Sequence, residues 1–212
     1  MKAKILLLGC LIVVVGCLFL GARMIWVTDG AWSPLNPMGS ATQTEDETVL
    51  NQRPLESPLV RPRIVVLKGD RRLELFSGGR VVRRYPIALG TKPTGDKMRE
   101  GDRRTPEGEF AILIKNPNST YTLSLGLDYP GTGDAARGLK DGLITQTEHD
   151  AIVEAHIAGA MPPQKTALGG DIFIHGKGSR GDWTWGCIAL DDEAITELYA
   201  VIPLGAKVLV KP

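Results

Sequence analysis

Disulfide chemistry is the first thing this sequence lacks. Of its 3 cysteines, Cys10 and Cys17 fall within an apolar N-terminal segment, so Cys187 stands alone in the remainder, with no intramolecular partner. An excess of either charge is also missing. With 25 basic and 24 acidic residues the formal net charge is +1, and nothing in that balance points to nucleic acid or to an acidic, solvating role. There are no internal repeats, and no metal-binding or cofactor-binding motif is visible, so neither a metal nor a cofactor is expected. At 212 residues the chain suffices for one core plus an appendage and is short for two domains.

What is present begins at the N-terminus. Lys2 and Lys4 precede an uninterrupted apolar run over residues 5–22, with no charge until Arg23. A positive flank followed by apolar residues is how an export signal starts. The run is also close to the roughly 20 residues that span a bilayer, so an uncleaved anchor fits as well. Val14-Val15-Gly16-Cys17 resembles a lipobox, although Leu18-Phe19-Leu20 continues the apolar run where a lipoprotein turns polar. All three readings export the rest of the chain. Residues 1–27 are therefore taken as signal or membrane anchor, with N-terminal membrane association. Residues 28–62 are rich in Pro, Ser, Thr and Asn and lack apolar periodicity, which predicts a flexible linker.

The folded domain is expected over 63–212. Ile64-Val65-Val66-Leu67 reads as a strand ended by the turn Lys68-Gly69-Asp70, and Leu73-Glu74-Leu75-Phe76 and the run from Val81 flank a Gly78-Gly79 hairpin turn. Glu109-Phe110-Ala111-Ile112-Leu113-Ile114 predicts another strand. Apolar Ile152, Val153, Ala155 and Ile157, with Thr145 or Thr147 as N-cap, predict a helix over 147–160. Asp171-Ile172-Phe173-Ile174 is a buried strand running into His175, Cys187-Ile188-Ala189-Leu190 is a second, and Asp191-Asp192 precede a helix to about Val201. Val208-Leu209-Val210 closes the sheet.

His175 thus ends a strand, and the loop Gly176-Lys177-Gly178-Ser179-Arg180-Gly181-Asp182 leads back toward Cys187. A thiol becomes a nucleophile when a neighbouring imidazole stabilises its thiolate, which requires both side chains within hydrogen-bond reach. Backbone N–H groups around Gly186 and Cys187 could serve an oxyanion. The bland alternative is an inert, buried Cys acting as a small hydrophobe. His149 and His156 suggest no metal site. Seven residues separate them by about 10 Å along a helix, too far for one ion.

Ile174-His175-Gly176 followed by Thr184-Trp185-Gly186-Cys187-Ile188-Ala189-Leu190 resembles the signature of the L,D-transpeptidase (YkuD-type) catalytic domain. Arg71-Arg72-Leu73-Glu74-Leu75-Phe76, Ile87-Ala88-Leu89-Gly90 and Thr105-Pro106-Glu107-Gly108 are similar to further blocks of that family, in order, over about residues 63–211. The resemblance implies a mainly β domain with a few helices (α+β), a mixed β-sandwich or barrel-like fold. It implies that Cys187 attacks the carbonyl between the L- and D-centres of a peptidoglycan stem tetrapeptide, releases D-alanine, and passes the acyl group to an amine on another stem or a wall-attached lipoprotein. It assigns Cys187 as nucleophile, His175 as base and Gly176 as the backbone acceptor that orients the imidazole, with Gly186, Thr184 and Trp185 at the substrate and oxyanion side.

Two positions depart from the family pattern. Many members carry His or Arg before the Gly-Cys pair and Arg two residues after the Cys, where this chain has Trp185 and Ala189. The Cys-Ile-Ala-Leu form resembles a subgroup that includes a murein peptide amidase, which hydrolyses a diaminopimelate-linked bond with the same cysteine. Transfer and hydrolysis differ only in whether an amine or water resolves the acyl-enzyme. A third reading, a wall-binding module whose Cys is incidental, would use the same groove without turnover. All of these readings place the domain in the bacterial periplasm or at the cell surface. Trp183, Tyr121, Thr122 and Ser124 are candidate cleft residues, and Arg99, Arg103 and Arg104 read either as a carboxylate grip or as a solvated basic turn.

Overall fold

A computed structural model describes residues 47–212. The signal or anchor expected over 1–27 and most of the expected linker fall outside them. Among the described residues no helix is long and apolar enough to cross a membrane.

Alternating apolar residues at the start of the domain produce a meander. β1 (Arg63–Leu67), β2 (Arg72–Ser77) and β3 (Arg80–Pro86) pair antiparallel, with Ile64 opposite Leu75 and Leu73 opposite Tyr85. The period of two sends Ile64, Val66, Leu73, Leu75 and Tyr85 into one core. Each such side chain contributes about 1.5–3 kcal/mol on burial.

The C-terminal strand does not continue this meander but inserts beside its first member. β8 (Lys207–Lys211) lies parallel to β1, Ile64 opposite Val208, and antiparallel to β4 (Gly108–Asn116), Phe110 opposite Val208. β5 (Ser124–Leu127), β6 (Phe173–His175) and β7 (Ile188–Ala189) extend the sheet, whose order is β3-β2-β1-β8-β4-β5-β6-β7. The segment after β3 then returns to the far edge. Ala88 and Ala189 exchange N–H···O bonds of 2.9 and 2.8 Å, and Thr184 N–H donates to Leu89 O at 3.0 Å. The sheet therefore curls into the barrel-like form expected.

A short helix precedes the sheet, and three follow within or after it. α1 (Glu47–Gln52) lies in the stretch read as flexible linker, and here the sequence reading needs correcting for residues 47–62. Leu50 is buried, Leu55 and Leu59 pack on the core, and Asn51 exchanges two hydrogen bonds with the backbone of Arg84 on β3. Buried Arg83 donates to Leu50 O and Arg53 O and forks onto Glu197. Pro54 and Pro58 hide the spacing of these leucines, which is why the composition reads as linker.

α2 (Thr132–Lys140) and α3 (Gln146–Ile157) form a hairpin around Ala135, Ile144, Ile152 and Leu168. Thr145 is the α3 N-cap, in a reciprocal capping box with Glu148. α4 (Asp192–Val201) packs Ile195 and Leu198 into the main core.

Candidate active site

Strand alternation brings His175 and Cys187 to one face. β6 and β7 are parallel, Ile174 opposite Ile188 and His175 opposite Ala189. Ile174, Ile188 and Leu190 point into the core. His175 and Cys187 therefore point to the opposite face, two residues out of step on adjacent chains. Strand spacing and rise put their Cα atoms about 8 Å apart.

The thiol is held from the side of β6. Phe173 N–H donates to Cys187 Sγ at 3.4 Å, and the thiol donates to Asp171 O at 3.5 Å. No hydrogen bond joins it to the imidazole in this state. Burial pushes the Cys187 thiol up to about 11; the Phe173 amide and the charge of Lys97 oppose that rise, and Asp171 adds to it.

The imidazole is oriented by backbone. Gly176 O lies 2.7 Å from His175 Nδ1, and because a carbonyl only accepts, Nδ1 carries the proton and Nε2 a lone pair. His175 is only 3% exposed, and burial holds it below the usual histidine range, opposed by the Gly176 bond. The Tyr121 ring lies 4.5 Å from the imidazole and Trp183 meets it edge-on at 5.6 Å. Gly176 must lack a side chain, since a Cβ there would meet Asp192 Oδ1 at 2.4 Å and Tyr121 O at 2.9 Å.

The turn before the thiol is organised by Thr184. Its buried hydroxyl donates to Cys187 O at 2.7 Å and accepts from Gly186 N–H at 3.2 Å. Gly186 has φ 134°, and a Cβ would meet Arg104 O at 2.8 Å, so only glycine fits. Asp182 ties the intervening loop back to the sheet, accepting from Leu89 N–H and forking onto Arg71.

The structure thus gathers Cys187, His175, Gly176, Thr184 and Gly186, and separates Trp185. That indole is 69% exposed, with the Arg103 guanidinium 4.8 Å over its ring. The Gly186 amide expected for an oxyanion is occupied by Thr184. Tyr121 and Trp183 line a cleft of about 810 Å³ together with Lys177, Arg180 and Asp191. Arg99 and Arg104 line a second of about 830 Å³. His149 pairs with Asp150, and His156 donates to Pro130 O. Among the described residues no cluster of three or more His, Cys, Asp or Glu could hold a metal.

Asp192, which the sequence reading places only at a helix start, also lies at the site. Reading it only as part of a helix start overlooked that Asp191 takes the N-cap position, spends its carboxylate on Ser179, and leaves Asp192 to bond Lys177 N–H and Thr122. Two consecutive acids where one cap suffices is the signal that was available.

The chain is similar to known proteins over most of its described residues. The YkuD family model, the L,D-transpeptidase catalytic domain, matches residues 61–210. The YkuD protein of Bacillus licheniformis, a candidate L,D-transpeptidase, is 27% identical over 155 residues, covering 71% of this chain and 66% of its own. Among solved structures, the helical cell shape determining protein Pgp2 of Campylobacter jejuni is 25% identical with a TM-score of 0.47, covering 74% of this chain and 48% of that one. An L,D-transpeptidase of Xylanimonas cellulosilytica is 18% identical with a TM-score of 0.42, covering 75% and 64%. The chain therefore spans between about half and two thirds of the length of these relatives. With a match over most of its described residues, the chain belongs to the YkuD family of L,D-transpeptidase catalytic domains.

Proposed function

We propose that the domain is a cysteine acyltransferase acting on peptidoglycan stem peptides, with Cys187 as nucleophile and His175 as base. The observation that carries this reading is the orientation of His175. Its Nδ1–H is fixed on Gly176 O, so an unprotonated Nε2 is available on the sheet face shared with Cys187.

The resting pair is neutral, because burial raises the thiol and lowers the imidazole. Reaction then starts with transfer of the Sγ proton to Nε2 as the substrate carbonyl arrives. Sγ bonds to the carbonyl carbon between the L- and D-centres, and the oxyanion meets the Cys187 amide. The imidazolium protonates the leaving nitrogen, and D-alanine departs from a thioester. An amine of another stem, or of a wall-attached lipoprotein, attacks the thioester and yields its proton to Nε2. Collapse expels the thiolate, which recovers a proton from the imidazolium. Lys177 and Arg180 in the adjoining cleft supply cations for the carboxylates of such a peptide.

Water in place of the amine gives the hydrolytic, murein peptide amidase-like reading, which the Cys187-Ile188-Ala189-Leu190 form supports by its resemblance to that subgroup. In either case the domain works outside the cytoplasm, in the periplasm or at the surface, exported by residues 1–27.

The test is incubation of the full-length chain with disaccharide tetrapeptide, followed by mass spectrometry beside Cys187→Ala. Cross-linked dimer and released D-alanine that vanish in the variant are expected. A shortened or cleaved peptide without dimer assigns hydrolysis. No turnover returns the domain to a wall-binding role.

A further inference from the structure

The acceptor of the imidazole is not an isolated carbonyl. Gly176 O and Lys177 N–H belong to one peptide group, and that group is bonded at both ends. Its oxygen accepts from His175 Nδ1 at 2.7 Å and its N–H donates to Asp192 Oδ1 at 2.9 Å. The same carboxylate oxygen accepts from Thr122 Oγ1 at 2.7 Å. Thr122 sits at φ 70°, next to Tyr121, whose ring lies against the imidazole and whose carbonyl accepts Gly176 N–H at 2.9 Å. One carboxylate oxygen thus fixes the two backbone segments that bracket His175.

We propose that Asp192 is a positioning residue that acts on His175 through the Gly176–Lys177 peptide group, completing a chain imidazole, peptide, carboxylate. A carboxylate accepting the N–H polarises the amide, so its carbonyl oxygen becomes a stronger acceptor for Nδ1–H. That holds the tautomer with Nε2 unprotonated and favours the imidazolium when the thiol gives up its proton. The bonds to Lys177 and Thr122 also keep the Asp192 carboxylate below its usual range, so it stays charged. A carboxylate reaching a base through a peptide unit does electrostatically, at one remove, what a directly bonded acid does in other nucleophile–base sites.

The inference rests on the acyl-transfer reading, and its test separates the two. Asp192→Asn keeps both acceptor contacts and removes the charge; Asp192→Ala removes the contacts. In the full-length chain, the nitrogen resonances of His175 are followed against pH by NMR beside turnover of disaccharide tetrapeptide. The expected result is a lower imidazole titration in the Asn variant with kcat down about threefold to tenfold. In the Ala variant kcat falls about 10–100-fold with KM little changed, the range for loss of supporting contacts. An Ala variant with wild-type kcat overturns the proposal. So does an Asn variant whose imidazole titrates as the wild type does, since a purely structural clamp would survive that change. If the wild type does not turn over, the acyl-transfer reading fails, and the His175 titrations still decide the coupling.

Discussion

The two halves of the curled sheet are built on different terms. β1, β2, β3, β4 and β8 are five to nine residues long, and most bury every second side chain. β5, β6 and β7 have four, three and two residues, and nearly all of them are buried. In the long half, ladders and apolar packing hold the register. The short half has too few ladder bonds for that, and single polar side chains do the holding: Thr184 across the Cys187 turn, Asp182 onto Leu89 and Arg71, Asp192 onto Lys177 and Thr122. Cys187 and His175, the pair proposed as nucleophile and base, sit in the half whose geometry depends on side chain to backbone bonds, where one substitution can retune a site without unfolding the sheet.

Four substitutions or titrations sharpen or break that contrast. The largest effect belongs to Cys187→Ala, which abolishes turnover by at least about a thousandfold while circular dichroism stays that of the wild type. Next is Leu75→Ala in the long half, at a fully buried core position. It costs about 2–5 kcal/mol in a denaturant titration, and the molecules that remain folded keep their kcat. Thr184→Val in the short half strands Gly186 N–H and Cys187 O, costing about 1–3 kcal/mol. Unlike the core variant it also lowers kcat about 10–100-fold through displacement of the thiol. Equal kcat losses for the two variants break the contrast.

The smallest effect is on stability against pH, and its sign differs for the two reactive groups. Unfolded Cys187 gives up its proton near pH 9 and the folded thiol near 11. The unfolded state thus binds fewer protons between those values, and wild-type stability falls as pH rises through that window. Cys187→Ala falls less over that window, and only above about pH 10, where buried Tyr85 and Tyr129, also held protonated by the fold, add their own loss. His175 is held neutral by burial, so below about pH 6.5 the unfolded chain takes up a proton first, and stability is lost as pH falls. Denaturant midpoints of wild type and Cys187→Ala from pH 5 to 11 check both limbs.

Legibility in the sequence followed the same division. The β2–β3 hairpin announces itself through alternation and its glycine turn, β4 through a continuous apolar run, and α3 through its Thr145 cap. β5, with the sequence SLGL, has no alternation because all four of its residues are buried. α2 contains Gly133 and Gly138, poor helix formers, and is held by packing of Gly138 against Leu168. α1 hides among prolines until Leu50 and Arg83 meet. Cys187 and His175 stand out as candidates because their flanking residues form a recognisable pattern. Asp192 does not, because its partner is a backbone N–H 15 residues away.

By itself, the sequence determined the strands of the meander, the caps and turns, and the motif that makes Cys187 and His175 the candidate pair, since each depends on residues within a few positions of one another. Tertiary structure alone decided that β8 lies beside β1, that the segment after β3 closes onto β7, that residues 47–62 belong to the domain, and that Asp192 stands behind His175. Those pairings join segments distant in the chain, and they are set by which arrangement buries the common core and satisfies the displaced backbone groups, a balance that no local stretch of sequence contains.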